Sequence, residues 1–234
     1  MTKPTQGPEY AYFTVADYDK TPALVEFARQ VAKVVPLLSS NGTARYLREA
    51  GLPVTSVTEI IKHSIAHRLA NANGAPAAVL KFEEGRKIID WTAEVLSEYD
   101  LLNGRIKTLR PECMGPILAA PDQIGELQRL GMCRIVLNRT SFYAFRREVQ
   151  RDGSTLKSIR QKLDIGGPTG IMCTIKADGL PIIFAEDHDE VLQYLWSDRI
   201  NDEFRRRMQR KAAWHVADYY QQVARWLTEI PMPA

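Results

Sequence analysis

Two strand-loop-helix units follow one another at the start of this 234-residue chain, and that succession limits its fold more than any other feature. Tyr10 to Ala16 is aromatic, β-branched and small, then gives way to Asp17-Tyr18-Asp19-Lys20-Thr21 and an amphipathic run from Pro22 to Val34. Leu24, Phe27, Ala28, Val31 and Val35 recur at three- and four-residue spacing, and Pro22 suits a first helical turn, where its missing N–H costs nothing. Val34 to Leu38 supplies a second strand, followed by Ser39-Ser40-Asn41-Gly42-Thr43 and a helix through Ala50, closed by Gly51. A strand that crosses back through a helix re-enters its sheet in parallel. The pattern therefore predicts an α/β fold with a doubly wound, mainly parallel sheet and helices on both faces.

The remainder extends this plan. A third strand is expected at Val54 to Val57. From Thr58 to Asn103 the pattern turns helical, with Ile60, Ile61, Ile65 and Leu69 on one face and Ile88, Ile89, Trp91, Val95 and Leu96 on another, separated by a break from Asn71 to Pro76. Further helices are expected at Asp122 to Leu130, Thr155 to Leu163, after Asp164-Ile-Gly-Gly-Pro168, at Asp187 to Ser197 and at Asn201 to Glu229, with strands at Met132 to Leu137 and Leu180 to Ala185. This amounts to one domain over 1–234, with a helical insertion at about 60–103 and C-terminal helices.

Composition excludes several functional classes. With 45% hydrophobic and 25% charged residues the chain has the make-up of an ordinary folded protein. A net charge of +3 is too small to make nucleic acid or an acidic membrane the main partner. Cys113, Cys133 and Cys173 form no C-x-x-C pair, which argues against zinc or a redox dithiol and fits a reducing cytoplasm. No apolar run approaches a membrane span, and Met1 to Glu9 lacks the apolar stretch of an export signal.

Ligands of doubly wound sheets collect beyond the carboxyl ends of the strands, where helix N-termini present free N–H groups. Lys20 with Thr21, and Ser40 with Asn41, Gly42 and Thr43, stand at two such points and suit phosphate, although each set also reads as an ordinary helix cap. Neither matches the ATP-loop or dinucleotide fingerprints. Arg105, Lys107 and Thr108 form a third cluster, which by itself reads as a solvated basic turn. Asp164 before Gly166 and Gly167 can serve as a base beside an oxyanion site or as a helix cap. Lys176 lies about three and a third turns further along that helix. His63 and His67 are four apart without a third metal ligand and read as a solvent-facing pair, His215 as a packed residue, and the arginines from Phe204 to Arg210 as a solvated face.

Taken in order, these segments resemble the IMP cyclohydrolase domain of the bifunctional purine biosynthesis protein, whose core is similar to methylglyoxal synthase. The resemblance rests on Asp19-Lys-Thr21, Leu24 to Ala28, Ser40 to Arg45, Leu47 to Val54, Gly104 to Pro111, Ile117 to Ala119, Asp164 to Thr169 with Lys176, and Lys211-Ala212 with His215, Ala217 and Tyr219. It implies closure of the pyrimidine ring of 5-formamidoimidazole-4-carboxamide ribonucleotide to IMP, without metal or redox cofactor. It further implies that Asp164 is the base, that Lys107 and Lys176 assist the departing oxygen with the amides of Gly166 and Gly167, and that Lys20, Thr21, Ser40, Asn41, Gly42, Thr43, Arg105 and Thr108 hold ribose and phosphate. The implied partners are a ribonucleotide 5′-monophosphate, a second copy of the chain and a separate formyltransferase.

Three departures stand out. Ala16 and Tyr18 occupy places where the family offers serines, Arg110 replaces its histidine, and Thr140 aligns with an active-site tyrosine. The resemblance covers the cyclohydrolase domain without the formyltransferase domain that usually follows, and a stand-alone version is the expectation. Ring closure on an analogous heterocycle, such as a pyrazole C-nucleotide, and non-catalytic nucleotide or phosphate sensing are the alternatives.

Overall fold

A computed structural model describes residues 9–71, 80–83, 86–89, 108–142, 144–197 and 201–229. Its centre is a five-stranded parallel sheet built from β1 (Glu9–Thr14), β2 (Leu37–Ser39), β3 (Val54–Ser56), β6 (Arg134–Thr140) and β7 (Leu180–Ile182) in the order β3-β2-β1-β6-β7. The chain moves outward from β1 through α1 (Pro22–Val31) and α2 (Asn41–Glu49), then returns to the other side of β1 with β6. That reversal makes the carboxyl ends of β1 and β6 a topological switch point, the usual place for a ligand crevice.

Alternation along β1 divides the core. Ala11 and Phe13 face Leu24, Phe27, Ala28 and Val31 of α1, together with Leu37, Ala44 and Leu47. Tyr12 points the opposite way, toward Val57, Ile60 and Ile61 of α3 (Val57–Asn71) and Cys113 and Ile117 of α4 (Pro111–Leu118). A third cluster joins Phe142 and Phe145 to Ala212, Val216, Tyr219 and Trp226 of the terminal helix (Asp202–Glu229). Gly51 closes α2 with φ +79°, a conformation that favours glycine, as its place after the helix suggested.

The expected order of elements holds for the sheet and its helices, with local differences. β2 begins at Leu37, because Val34 lies in the turn that ends α1 and is exposed. The 111–118 helix and a short helix, Ala144–Val149, were not expected. Of the segment expected to be helical from Thr58 to Asn103, the described residues are helical through Asn71, in the helix Val57–Asn71. Leu80–Glu83 (β4) and Arg86–Ile89 (β5) instead pair antiparallel, Leu80 opposite Ile89 and Glu83 opposite Arg86. Leu80 and Phe82 alternate with charged residues at period two, which suits a strand, and Ile88-Ile89 is β-branched. Trp91, Val95 and Leu96 lie outside the described residues. Among the described residues no helix is long and apolar enough to cross a membrane.

Candidate active site

Thr14 and Thr140 are paired neighbours at the carboxyl ends of β1 and β6. Beside them opens a cavity of about 110 Å³, walled by Tyr12, Thr108, Thr140, Ser141, Asp164, Gly166 and Gly167. We number α5 as Ile124–Arg129, α6 as Ala144–Val149, α7 as Leu156–Gln161, α8 as Gly166–Lys176, α9 as His188–Trp196 and α10 as Asp202–Glu229.

Asp164 is held from both sides. Its own N–H donates to Tyr219 Oη at 2.7 Å, and its Oδ1 accepts from Gly167 N–H at 2.7 Å. Burial raises its pKa above the ordinary carboxylate value, with the Gly167 hydrogen bond opposing the rise, so the group is poised nearer neutrality, as a base requires. The glycines are needed for close approach. A Cβ at Gly166 would collide with Thr108 Oγ1, and one at Gly167 would come within 3.0 Å of Phe142 Cβ and 3.1 Å of Asp164 Oδ1. Asp164, Gly166, Gly167, Thr108 and Thr140 are thus brought together. The Thr140 hydroxyl donates to Asn138 Oδ1 at 2.6 Å, and Asn138 Nδ2 donates to Thr174 Oγ1 at 2.8 Å, which locks β6 to α8 beneath the cavity.

The predicted phosphate residues divide into two groups. Lys20 Nζ stands 3.5 Å from where a Gly42 Cβ would be, so the ammonium and the first turn of α2 converge. There the amides of Asn41, Gly42 and Thr43 lie beyond the reach of intrahelical acceptors. Lys20 is also paired with Asp17 at 2.6 Å, and that contact holds the exposed Asp17 carboxyl below its usual range. The side chains expected to help are engaged elsewhere. Thr21 Oγ1 caps α1 by accepting from Leu24 N–H at 3.2 Å. The Thr43 hydroxyl is buried, donates to Val15 O at 3.3 Å and accepts from Ser40 Oγ at 3.2 Å. Asn41 Nδ2 donates to Thr58 Oγ1 at 2.8 Å.

Lys176 does not join the cavity. It ends α8, the helix that Gly166 begins, and is exposed. Ten steps of ~1.5 Å carry it about 15 Å along the axis from Gly166, farther than a lysine side chain reaches back. The expectation that Lys176 meets Asp164 is corrected on that ground for a single chain. Lys107 and Arg105 lie outside the described residues.

A family model, the MGS-like (methylglyoxal synthase-like) domain, matches residues 23–169. The chain belongs to the MGS-like domain family. Among the relatives of this MGS-like domain are proteins named bifunctional purine biosynthesis protein PurH. That of Leuconostoc mesenteroides is 27% identical over 216 residues, covering 90% of this chain and 36% of the relative. That of Cyanothece sp. is 31% identical over 229 residues, covering 92% and 38%. The chain therefore spans about a third of the length of these curated relatives. The solved structure titled "Crystal structure of ForH" superposes with a TM-score of 0.62 at 22% identity, over 92% of this chain and 96% of the other, which shows a shared fold.

Sequence reasoning gave no site role to three residues of this MGS-like domain. Tyr219 fixes the Asp164 backbone, and burial pushes its phenol up to about 12. Tyr12 read as strand core. Arg139 is 1% exposed; its Nε–H donates to His188 Nε2 at 3.0 Å, and an NH2 proton goes to Asp19 Oδ2 at 3.3 Å, beside Lys20. His188 stacks on Phe27, with ring centroids 3.9 Å apart, and burial together with Arg139 pushes its pKa down to about 3, keeping it a neutral acceptor. The available signal was an arginine inside an otherwise buried strand, since arginine is almost never fully buried unpaired. His63 is exposed and lies 6.3 Å from the His67 ring between centroids, and no group of three metal-ligating side chains occurs among the described residues. His215 packs between Phe142 and Phe184, as expected of a packed residue.

Proposed function

We propose that this MGS-like domain is a cyclohydrolase of the IMP type, closing the pyrimidine ring of 5-formamidoimidazole-4-carboxamide ribonucleotide by intramolecular dehydration to IMP. The observation that carries this reading is a half-buried carboxyl of raised pKa, Asp164, fixed at a glycine-rich helix start inside a cavity at the switch point of the sheet. The named role of the PurH relatives in purine biosynthesis supports the same substrate class.

In this mechanism the carboxamide nitrogen attacks the formyl carbon, and the N–H proton passes to the Asp164 carboxylate. The former formyl oxygen takes up two protons and leaves as water; they are balanced by the carboxamide proton given to Asp164 and by the formamido N–H, which is lost as the C=N bond forms between that nitrogen and the former formyl carbon. An amide is a poor nucleophile, so removal of its proton and alignment of the two groups are the largest demands. With the Gly167 N–H committed to Asp164, the Gly166 amide is left as the donor for the developing oxyanion. Lys107, next in sequence to the cavity-lining Thr108, supplies the acid for the departing oxygen. Lys20 and the first-turn amides of α2 hold the 5′-phosphate. Lys176 has no part within one chain.

The test is incubation of purified protein with the formamido ribonucleotide while IMP absorbance is followed. Asp164→Asn is expected to lower kcat by about 10²- to 10⁴-fold with nucleotide binding retained. Binding by the wild type without ring closure would replace this reading with nucleotide sensing. Faster closure of a pyrazole analogue would reassign the heterocycle.

A further inference from the structure

Among the polar groups that the described residues bring to the cavity wall and the mechanism above leaves unused, the Tyr12 hydroxyl is the one with neither a well-aligned hydrogen-bond partner nor access to solvent. Tyr12 lies near the middle of β1 and is 4% exposed, its ring packed among Leu38, Val57, Cys113, Ile117 and Ile135. The residue forms part of the cavity wall that also contains Asp164 and Thr140. Its hydroxyl is shut from solvent, and although the Thr14 side chain approaches it closely enough to lower its pKa, no hydrogen bond of good geometry reaches it among the described residues. Buried polar side-chain atoms are nearly always hydrogen-bonded, and phenylalanine would fill the same apolar packing without an orphaned donor.

We infer that Tyr12 is a further substrate-contacting residue, whose hydroxyl donates to the carboxamide oxygen of the ring-closing substrate. The inference rests on the reaction proposed above. A primary carboxamide presents an N–H and a C=O on neighbouring atoms, and the wall offers a carboxylate to accept from the first and a phenol to donate to the second. When the nitrogen yields its proton to Asp164, negative charge spreads onto the carboxamide oxygen, and a fixed neutral donor there stabilises the nucleophile as it forms. Tyr12 keeps its own proton throughout. Burial holds its ionisation well above the ordinary phenol value, the nearby Cys113 and Asp164 adding to the rise and Thr14 opposing it. Tyr12 is therefore a donor and takes no part in proton transfer.

The experiment compares wild type with Tyr12→Phe and, as a second apolar replacement, Tyr12→Leu. It measures kcat and KM with the formamido ribonucleotide, binding of IMP and of ribose 5-phosphate, and the melting temperature. Tyr12→Phe is expected to lose about 100-fold in kcat. It should bind IMP about tenfold more weakly, because IMP keeps a carbonyl at that position, while ribose 5-phosphate binding and the melting temperature stay at or above wild type. Unchanged kcat and IMP affinity in an active background overturns the Tyr12 role alone. An equal loss of ribose 5-phosphate binding together with a lowered melting temperature also overturns it, marking a packing role. A wild type that neither closes the ring nor binds IMP overturns the proposed function, and the Tyr12 role falls with it.

Discussion

Neutral His188 is the point at which acid should loosen this fold. Its Nε2 accepts from Arg139 Nε–H at 3.0 Å, and its ring lies flat on Phe27, so a proton on Nε2 removes the acceptor and sets a second positive charge beside a buried guanidinium. The folded pKa of about 3 lies below the ordinary 6.5. The unfolded chain therefore binds the extra proton first, and the contribution of His188 is fully present above about pH 6.5 and lost as pH falls through the interval down to about 3. At pH 5.5 the unfolded imidazole is about nine-tenths protonated and the folded one is neutral, a cost of about 1.4 kcal/mol relative to pH 7.5. The figure is insensitive to the folded value, since any folded pKa below about 4.5 yields nearly the same cost. For a chain of this size it corresponds to a fall of about 3–6 °C in melting temperature.

The variant that isolates the effect is His188→Gln, whose side-chain carbonyl can still accept from Arg139 but does not titrate in this range. Thermal melts of both proteins at pH 7.5 and pH 5.5 should show that increment in wild type beyond whatever the variant shows. Parallel pH slopes in the two proteins, or an imidazole resonance of folded His188 titrating near 6.5, would refute the argument. Because Arg139 also holds Asp19 beside Lys20, wild type at pH 5.5 should show a raised KM for nucleotide with less change in kcat.

Two other outcomes follow from the site. Asp164 has a raised folded pKa, so between the ordinary aspartate value and the raised one the folded state binds more protons, and its ionisation above that range costs stability. Asp164→Asn should therefore melt at a higher temperature than wild type at pH 8, with the difference shrinking toward pH 4; a lower melting temperature at pH 8 would contradict the burial argument. Lys20→Ala removes the only side-chain cation that the described residues assigned to phosphate bring to the start of α2, and should raise KM about tenfold with kcat nearly unchanged, an effect that weakens as salt is raised. Isothermal titration at two ionic strengths checks it.

Local order along the chain was enough to establish the sheet and part of the site. The two-residue alternation of β1 and the helical spacing of Leu24, Phe27, Ala28 and Val31 each reflect one element burying one face, so the parallel α/β plan was legible from Tyr10 to Gly51. Asp164 with Gly166 and Gly167 was legible for a similar reason, because a carboxylate that takes an N–H three residues ahead and glycines that admit a neighbouring chain are both local signatures. The hairpin of Leu80–Glu83 and Arg86–Ile89 was missed because short apolar runs fit either period until a partner strand is known.

What remained depended on which segments meet. Thr43 and Asn41 have the chemistry of phosphate ligands, yet long-range contacts with Val15 and Thr58 engage their side chains. Lys176 has suitable chemistry and spacing by motif, but a straight helix carries it away from Asp164. Tyr12 read as a strand residue and Arg139 lay beyond the strand expected at Met132 to Leu137, and only the pairing of β1 with β6 turns one toward the cavity and the other toward Asp19. Sequence alone determined periodicity and backbone permissiveness, because these act over a few residues. The tertiary structure decided which charges converge and which hydroxyls are already engaged, because those depend on distances between elements that no local pattern encodes.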